Sequence, residues 1–107
     1  MKKNKTTIGI QKKSLSDEDR ADVLFQEALD ECLAIRKQRK EIYGNCWFQT
    51  DGVEASFWGG IINKVNRIKI LHKNRHEKNG YENYADCLRD LVILTLFTLS
   101  CLKEEQK

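Results

Sequence analysis

Two pairs of carboxylates at helical spacing are the residues of this sequence best suited to chemistry. Asp86 and Asp90 lie four apart beside an uncharged run, and Glu27 and Glu31 lie four apart nearer the start. A spacing of four places side chains on one edge of a helix, and clustered carboxylate oxygens are ligands for hard cations such as Mg²⁺. These four acids are therefore the predicted catalytic and metal-binding residues, with Asp30 as an alternative to Glu31.

Basic and aromatic residues complete a predicted nucleotide site. Lys64 and Arg67, three apart, share one helix edge and would contact phosphates. Tyr43 and Trp47 could stack on a base. The alternatives stay open: the acids could form surface salt bridges, the aromatic rings could cover a core, and the i,i+4 histidines His72 and His76 could bind a metal or lie in an exposed loop.

The fold that would position these residues is predicted to be all-α, a small bundle of three main helices. The chain has no proline, and glycines separate the helical patterns. Helix A is predicted from Ser16, which has a capping-box pattern, to Tyr43-Gly44, and helix B from Asp51, with Gly59-Gly60 at a close crossing. Helix C is predicted from about 81 to 103, with residues 91–102 buried on every side. Because this segment contains β-branched residues, a β-strand is the alternative prediction for it.

The chain of 107 residues with a formal charge of +3 indicates one domain, residues 15–107, after a flexible basic tail, residues 1–14. Without the tail the body is almost neutral, which argues against a duplex nucleic-acid partner. Cysteines without metal spacing indicate a reducing cytoplasm, with two disulfides as the alternative. No signal peptide or membrane span is expected. Three helices, one of them apolar all round, predict a homo-oligomer, a dimer or larger.

Three segments in order carry a resemblance to a known family: Tyr43-Gly-Asn-Cys-Trp47, Ile61-Ile-Asn-Lys-Val-Asn-Arg-Ile68 and Glu82-Asn-Tyr-Ala-Asp-Cys-Leu-Arg-Asp-Leu91. They resemble elements of the nucleotide modification associated domain, found mostly in phages and prophages and similar to the all-helical MazG-like nucleoside triphosphate pyrophosphatases. The resemblance covers about residues 25–100. It implies that Asp86 and Asp90 occupy the second acidic motif, Glu27 and Glu31 the first, and that Lys64 and Arg67 meet phosphate.

This resemblance implies a Mg²⁺-dependent pyrophosphohydrolase acting on phage or bacterial (deoxy)nucleotides. The sequence departs from the MazG-like pattern at its second acidic pair, which is Asp-x-x-x-Asp, and in the longer gap between the pairs. The alternative is a phage protein that sequesters a nucleotide without cutting it, for example a cyclic nucleotide signal of bacterial immunity in an anti-defence role. A protein–protein adaptor on a helical bundle is a third possibility.

Overall fold

The computed structural model describes residues 15–49 and 52–106, and every regular element in these ranges is helical. Helix α1 is Asp17–Tyr43, followed by a 3₁₀ turn at Cys46–Gln49. Helix α2 covers residues 53–73 as three continuous segments: Val53–Ala55, π-helical Ser56–Ile62 and Asn63–Lys73. Helix α3 is Gly80–Glu105. The prediction of an all-α bundle of three main helices is confirmed.

The ends of α1 follow from local chemistry that the sequence displays. The Ser16 hydroxyl accepts a hydrogen bond from the backbone N–H of Asp19, at 3.2 Å, so it satisfies one of the free donors of the first turn. At the other end Gly44 adopts a φ of +61°, a left-handed conformation that glycine reaches without steric strain. Both predicted boundaries of helix A are therefore confirmed.

Helix α2 crosses α3 closely at Gly60. A Cβ placed on Gly60 would lie 3.1 Å from Cδ2 of Leu94, whereas a Cβ on Gly59 would meet nothing within 4 Å. The hydroxyl oxygens of Ser56 and Thr98 are 2.5 Å apart, which joins the same two helices. The predicted close crossing is thus located at Gly60. The capping residue predicted for this helix, Asp51, lies outside the described residues, as does the predicted basic tail, residues 1–14.

A six-residue loop, 74–79, connects α2 to α3 in place of the longer loop expected from His72 onward. Asn79 has a φ of +63°, which asparagine tolerates better than most residues. A Cβ on Gly80 would overlap the carbonyl oxygen of Asn74, so this position accepts only glycine without a backbone shift. Helix α3 then begins one residue before the predicted start.

The core of the described chain is thin. The buried hydrophobic side chains there are Cys32, Cys87, Ile93 and Cys101. None of the four cysteines is in a disulfide bond, and the three buried ones pack in the core as small apolar groups. The expectation that residues 91–102 are buried on every side does not hold within the single chain, because Val92, Leu96, Leu99 and Leu102 remain 40–47% exposed there.

The chain divides into two compact units, with the boundary between Glu31 and Cys32 inside α1. The first unit contributes the acidic beginning of α1, and the second contains the end of α1 with α2 and α3. No helix among residues 15–49 and 52–106 is long and apolar enough to cross a membrane.

Candidate functional site

Asp90 on α3, one of the four predicted acids, contacts cations on two other helices. Its Oδ1 accepts a hydrogen bond from Nη2 of Arg39 on α1 at 2.8 Å, and its Oδ2 lies 3.1 Å from Nζ of Lys64 on α2. The three helices of the second unit therefore meet at one carboxylate. We call Arg39, Lys64 and Asp90 the ion cluster.

Burial makes this cluster stronger than an ordinary surface pair. The side chains of Lys64 and Asp90 are only 18% and 22% exposed, whereas that of Arg39 is 50% exposed. Charged groups that lose water need a partner of opposite sign. Lys64 and Asp90 therefore depend on each other. Because one carboxylate neutralises only one of the two cations, the ion cluster keeps a net positive charge.

The ionisation of Asp90 reflects the same balance. Partial burial raises the pKa of its carboxyl group, but hydrogen bonds and charge attraction from Arg39 and Lys64 lower it by more. The net effect holds the pKa of Asp90 below its ordinary value of 3.8. Asp90 is therefore an anion at neutral pH, with each of its two oxygens engaged by a cation.

The second acid of the predicted pair, Asp86, has a different environment. It lies one turn before Asp90 on α3, and its side chain is 70% exposed. Nη1 of Arg89 donates to its Oδ1 at 2.9 Å, three residues away on the same helix. Asp86 and Asp90 thus share a helix but belong to separate ion pairs.

The first acidic pair, Glu27 and Glu31, belongs to the unit that ends at Glu31. Glu27 is half-buried and Glu31 exposed, while the alternative acid Asp30 accepts a hydrogen bond from the Gln26 side-chain amide at 2.9 Å. Among the described residues no group of three or more His, Cys, Asp or Glu could hold a metal ion. That the four acids meet at a magnesium ion therefore stays a prediction.

The predicted phosphate ligand Arg67 lies one turn after Lys64 on α2. It is exposed, and within the part of the chain that the structure describes it takes part in no ion pair. The side chains of Lys64 and Arg67 follow the same edge of one helix because they are three residues apart. Arg67 can therefore meet an incoming anion without first leaving another partner.

The two predicted base-stacking residues have different environments. Tyr43, the last residue of α1, is exposed. Trp47 is half-buried, and its ring is stacked on Phe97 of α3 at a centroid distance of 4.2 Å and an interplanar angle of 7°. The Arg36 guanidinium lies 5.3 Å from the centroid of the Phe97 ring. One face of the Trp47 indole is therefore used in packing, while Tyr43 has its ring in solvent.

His72 is joined to other side chains through both of its ring nitrogens. Its Nδ1 lies 3.0 Å from the Tyr84 hydroxyl, and its Nε2 lies 3.3 Å from Nη1 of Arg75. A guanidinium can only donate, so Nε2 is the acceptor in this contact. His72 thus connects α2 to α3, which is a structural role distinct from metal binding with His76.

Two residues of interest are absent from the sequence-based prediction. Arg39 lies near the end of α1, where a positive charge suits the helix dipole, yet it contacts Asp90 across 51 positions of sequence. Trp58 is an exposed tryptophan on the π-helical segment, and its indole N–H donates to Glu54 at 3.1 Å. No periodic pattern signals the first contact. The Gly59-Gly60 pair beside Trp58 signals only a weakened helix, so it does not predict the Trp58–Glu54 contact.

Comparisons with known proteins add no assignment: no family model matches the chain, and no curated protein or solved structure is significantly similar to it. The three-segment resemblance to the nucleotide modification associated domain therefore stays a prediction.

Proposed function

We propose that this protein binds the phosphates of a nucleotide at the ion cluster and sequesters it without hydrolysis. The observation that carries the proposal is the meeting of Arg39 and Lys64, from two helices, at the half-buried Asp90. Two cations held by one carboxylate form a site with surplus positive charge. A phosphate, which carries more charge and more acceptor oxygens than a carboxylate, can compete for them.

Neighbouring residues support the same proposal. Arg67 lies one turn from Lys64, is exposed and is outside the described ion pairs, so it can add a third positive charge. Tyr43 presents an exposed ring near the end of α1, four residues after Arg39, where it could stack on a base. A polyphosphate with an attached base would use both kinds of contact. The predicted ligand class, phage or bacterial (deoxy)nucleotides including cyclic nucleotide signals, has this chemistry.

Magnesium-dependent pyrophosphohydrolysis is the second candidate, favoured by the position of Asp86 and Asp90 on successive turns of α3. In the present arrangement a metal would compete with Arg39 and Lys64 for the oxygens of Asp90 and with Arg89 for Asp86. A magnesium ion would have to displace cations from these carboxylates. Sequestration needs only the basic residues, so the geometry supports it better.

Replacement of the central carboxylate separates the two functions. Asp90→Asn removes the anion that competes with phosphate for Arg39 and Lys64. Under sequestration, nucleotide affinity should rise by about three- to tenfold, which corresponds to roughly 0.7–1.4 kcal/mol. Under metal-dependent hydrolysis, the same variant should lose magnesium-dependent binding and any release of pyrophosphate, since one predicted metal ligand is gone.

The assay is isothermal titration calorimetry with a panel of nucleoside triphosphates and cyclic dinucleotides, in EDTA and in Mg²⁺, together with a pyrophosphate-release measurement. Asp86→Asn is the matched control, because it removes an equally charged acid that contacts neither Lys64 nor Arg39. It should leave affinity unchanged under sequestration. Lys64→Met should weaken binding at least tenfold. No nucleotide binding in either condition, or unchanged affinity in Lys64→Met, would reject the proposal.

A further inference from the structure

The outward face of α3 carries a stripe of mostly apolar side chains. Its members repeat every seven residues in two interleaved series, at positions 81, 88, 95 and 102 and at positions 85, 92 and 99. We call this set the α3 stripe: Tyr81, Ala85, Leu88, Val92, Thr95, Leu99 and Leu102, with Leu96 beside it. Apart from the half-buried Ala85, every member is exposed.

The stripe is distinct from the face that α3 buries. Cys87 and Cys101 are buried and lie on the far side of the helix from Val92, whereas the buried Ile93 lies about 100° around the helix from Val92. Monomeric soluble proteins rarely expose a contiguous apolar patch of more than a few hundred Å². Helix α3 is apolar on two sides, and only one of them is covered by its own chain. The second apolar side therefore calls for another surface that packs against it.

We propose that the α3 stripe is the interface of a homodimer in which two copies of α3 pack antiparallel, with the two-fold axis near Val92. A strict seven-residue repeat keeps one stripe facing a partner helix along its whole length. A two-fold axis near Val92 also makes the stripe its own complement, since each residue before the axis meets one after it. The occupant that this pattern fits is therefore a second α3.

The exposed area matches what such an interface needs. Each exposed Leu or Val of the stripe leaves roughly 70–80 Å² uncovered and Tyr81 about twice that, so the stripe supplies on the order of 500 Å² per copy. A specific interface covers about 800 Å² on each partner, and residues flanking the stripe would supply the remainder. The half-buried Ala85 is small enough to permit close approach of the helices.

Charges beside the stripe select the antiparallel orientation. Glu82 lies in the first turn of α3 and Lys103 in the last, and both are exposed. Neither belongs to an ion pair within the part of the chain that the structure describes. In an antiparallel pair with its axis near Val92, the same flank of each helix faces the other, so Glu82 of one copy lies opposite Lys103 of the second. A parallel pair would separate these charges.

The experiment is multi-angle light scattering of the full chain across a concentration series. The expected mass for the wild type is twice 12.5 kDa. Val92→Glu places two carboxylates together at the axis, so the dissociation constant of the dimer should rise at least about a hundredfold. Because Val92 is exposed in the single chain, the variant should retain its helical circular dichroism. Asn83→Glu, which adds the same charge on an exposed site of α3 outside the stripe, should leave the dimer intact.

A charge exchange tests the orientation. Glu82→Lys should weaken the dimer, and the double variant Glu82→Lys with Lys103→Glu should restore it, with circular dichroism showing equal helix content. A wild-type mass equal to that of one chain would overturn the proposal. This is also the mass expected if residues of the same chain cover the stripe. An assembly that Val92→Glu leaves intact, or that Asn83→Glu disrupts equally, would also overturn it. Failure of the double variant to restore the dimer would overturn the antiparallel orientation.

Discussion

Replacement of Asp90 by Asn should lower the free energy of unfolding, because Lys64 would lose its acidic partner. Lys64 is only 18% exposed, so its charge is poorly solvated once the carboxylate is removed. A charge-assisted hydrogen bond contributes about 1.5–3 kcal/mol when shielded, and an exposed pair such as Arg39–Asp90 contributes about 0.2–1 kcal/mol. The asparagine oxygen can still accept one bond. The expected loss is therefore about 1–2 kcal/mol.

The pH dependence follows from the lowered pKa of Asp90. A carboxyl group whose pKa is lower in the folded protein binds its proton more readily when unfolded. Its contribution to stability is fully present above the unfolded value and declines as pH falls through 3.8 toward the folded pKa. The wild type should thus exceed Asp90→Asn in stability at pH 7 and lose this advantage progressively below about pH 4.

Urea unfolding monitored by far-ultraviolet circular dichroism, at one protein concentration and at several pH values, measures both effects. Asp86→Asn provides the control, since its exposed pair with Arg89 should contribute at most about 0.5 kcal/mol. Equal stability of the two variants at pH 7 would contradict a stabilising role of the Lys64–Asp90 pair. A growing advantage of the wild type over Asp90→Asn on acidification would contradict the lowered pKa of Asp90.

Four further alanine substitutions test the local structure by thermal unfolding. Gly59→Ala should stabilise the protein by roughly 0.5–1 kcal/mol, because the site is open. Gly60→Ala should stabilise it less, because Leu94 must move. Equal gains in stability would contradict the close crossing at Gly60. Gly80→Ala should destabilise by about 2 kcal/mol or more through overlap with the Asn74 carbonyl, and a neutral result would rule that contact out. Ser16→Ala should cost about 1 kcal/mol through loss of the cap on α1, with a Ser16→Asp control that keeps a capping oxygen expected to be near wild type.

Much of the secondary structure was predictable because local chemistry determines it. Ser16 caps α1 through a bond to its own next turn, and Gly44 ends that helix through a left-handed conformation. These are interactions between residues close in sequence, so spacing and residue type suffice to predict them. The π-helical form of residues 56–62 was not predictable, since the Gly59-Gly60 pair signals only a weakened helix.

The candidate site was predictable only in its components. Lys64 and Asp90 are correctly singled out by type and spacing, but their pairing joins helices separated by a loop. Arg39 was not among the predicted site residues, because its charge also suits the end of a helix and its contact with Asp90 spans 51 residues. Trp47 was predicted as a stacking residue, and the structure shows that its ring already stacks on Phe97.

The sequence by itself determined that the described residues form three main helices, where α1 begins and ends, and which charged residues could act. Those properties depend on interactions within a few residues, whose energies local spacing reveals. The tertiary structure alone decided that Asp90 holds Arg39 and Lys64, and that only one apolar face of α3 is covered. Both outcomes depend on which helices pack together, and an amphipathic pattern shows that a face is apolar without showing what lies against it.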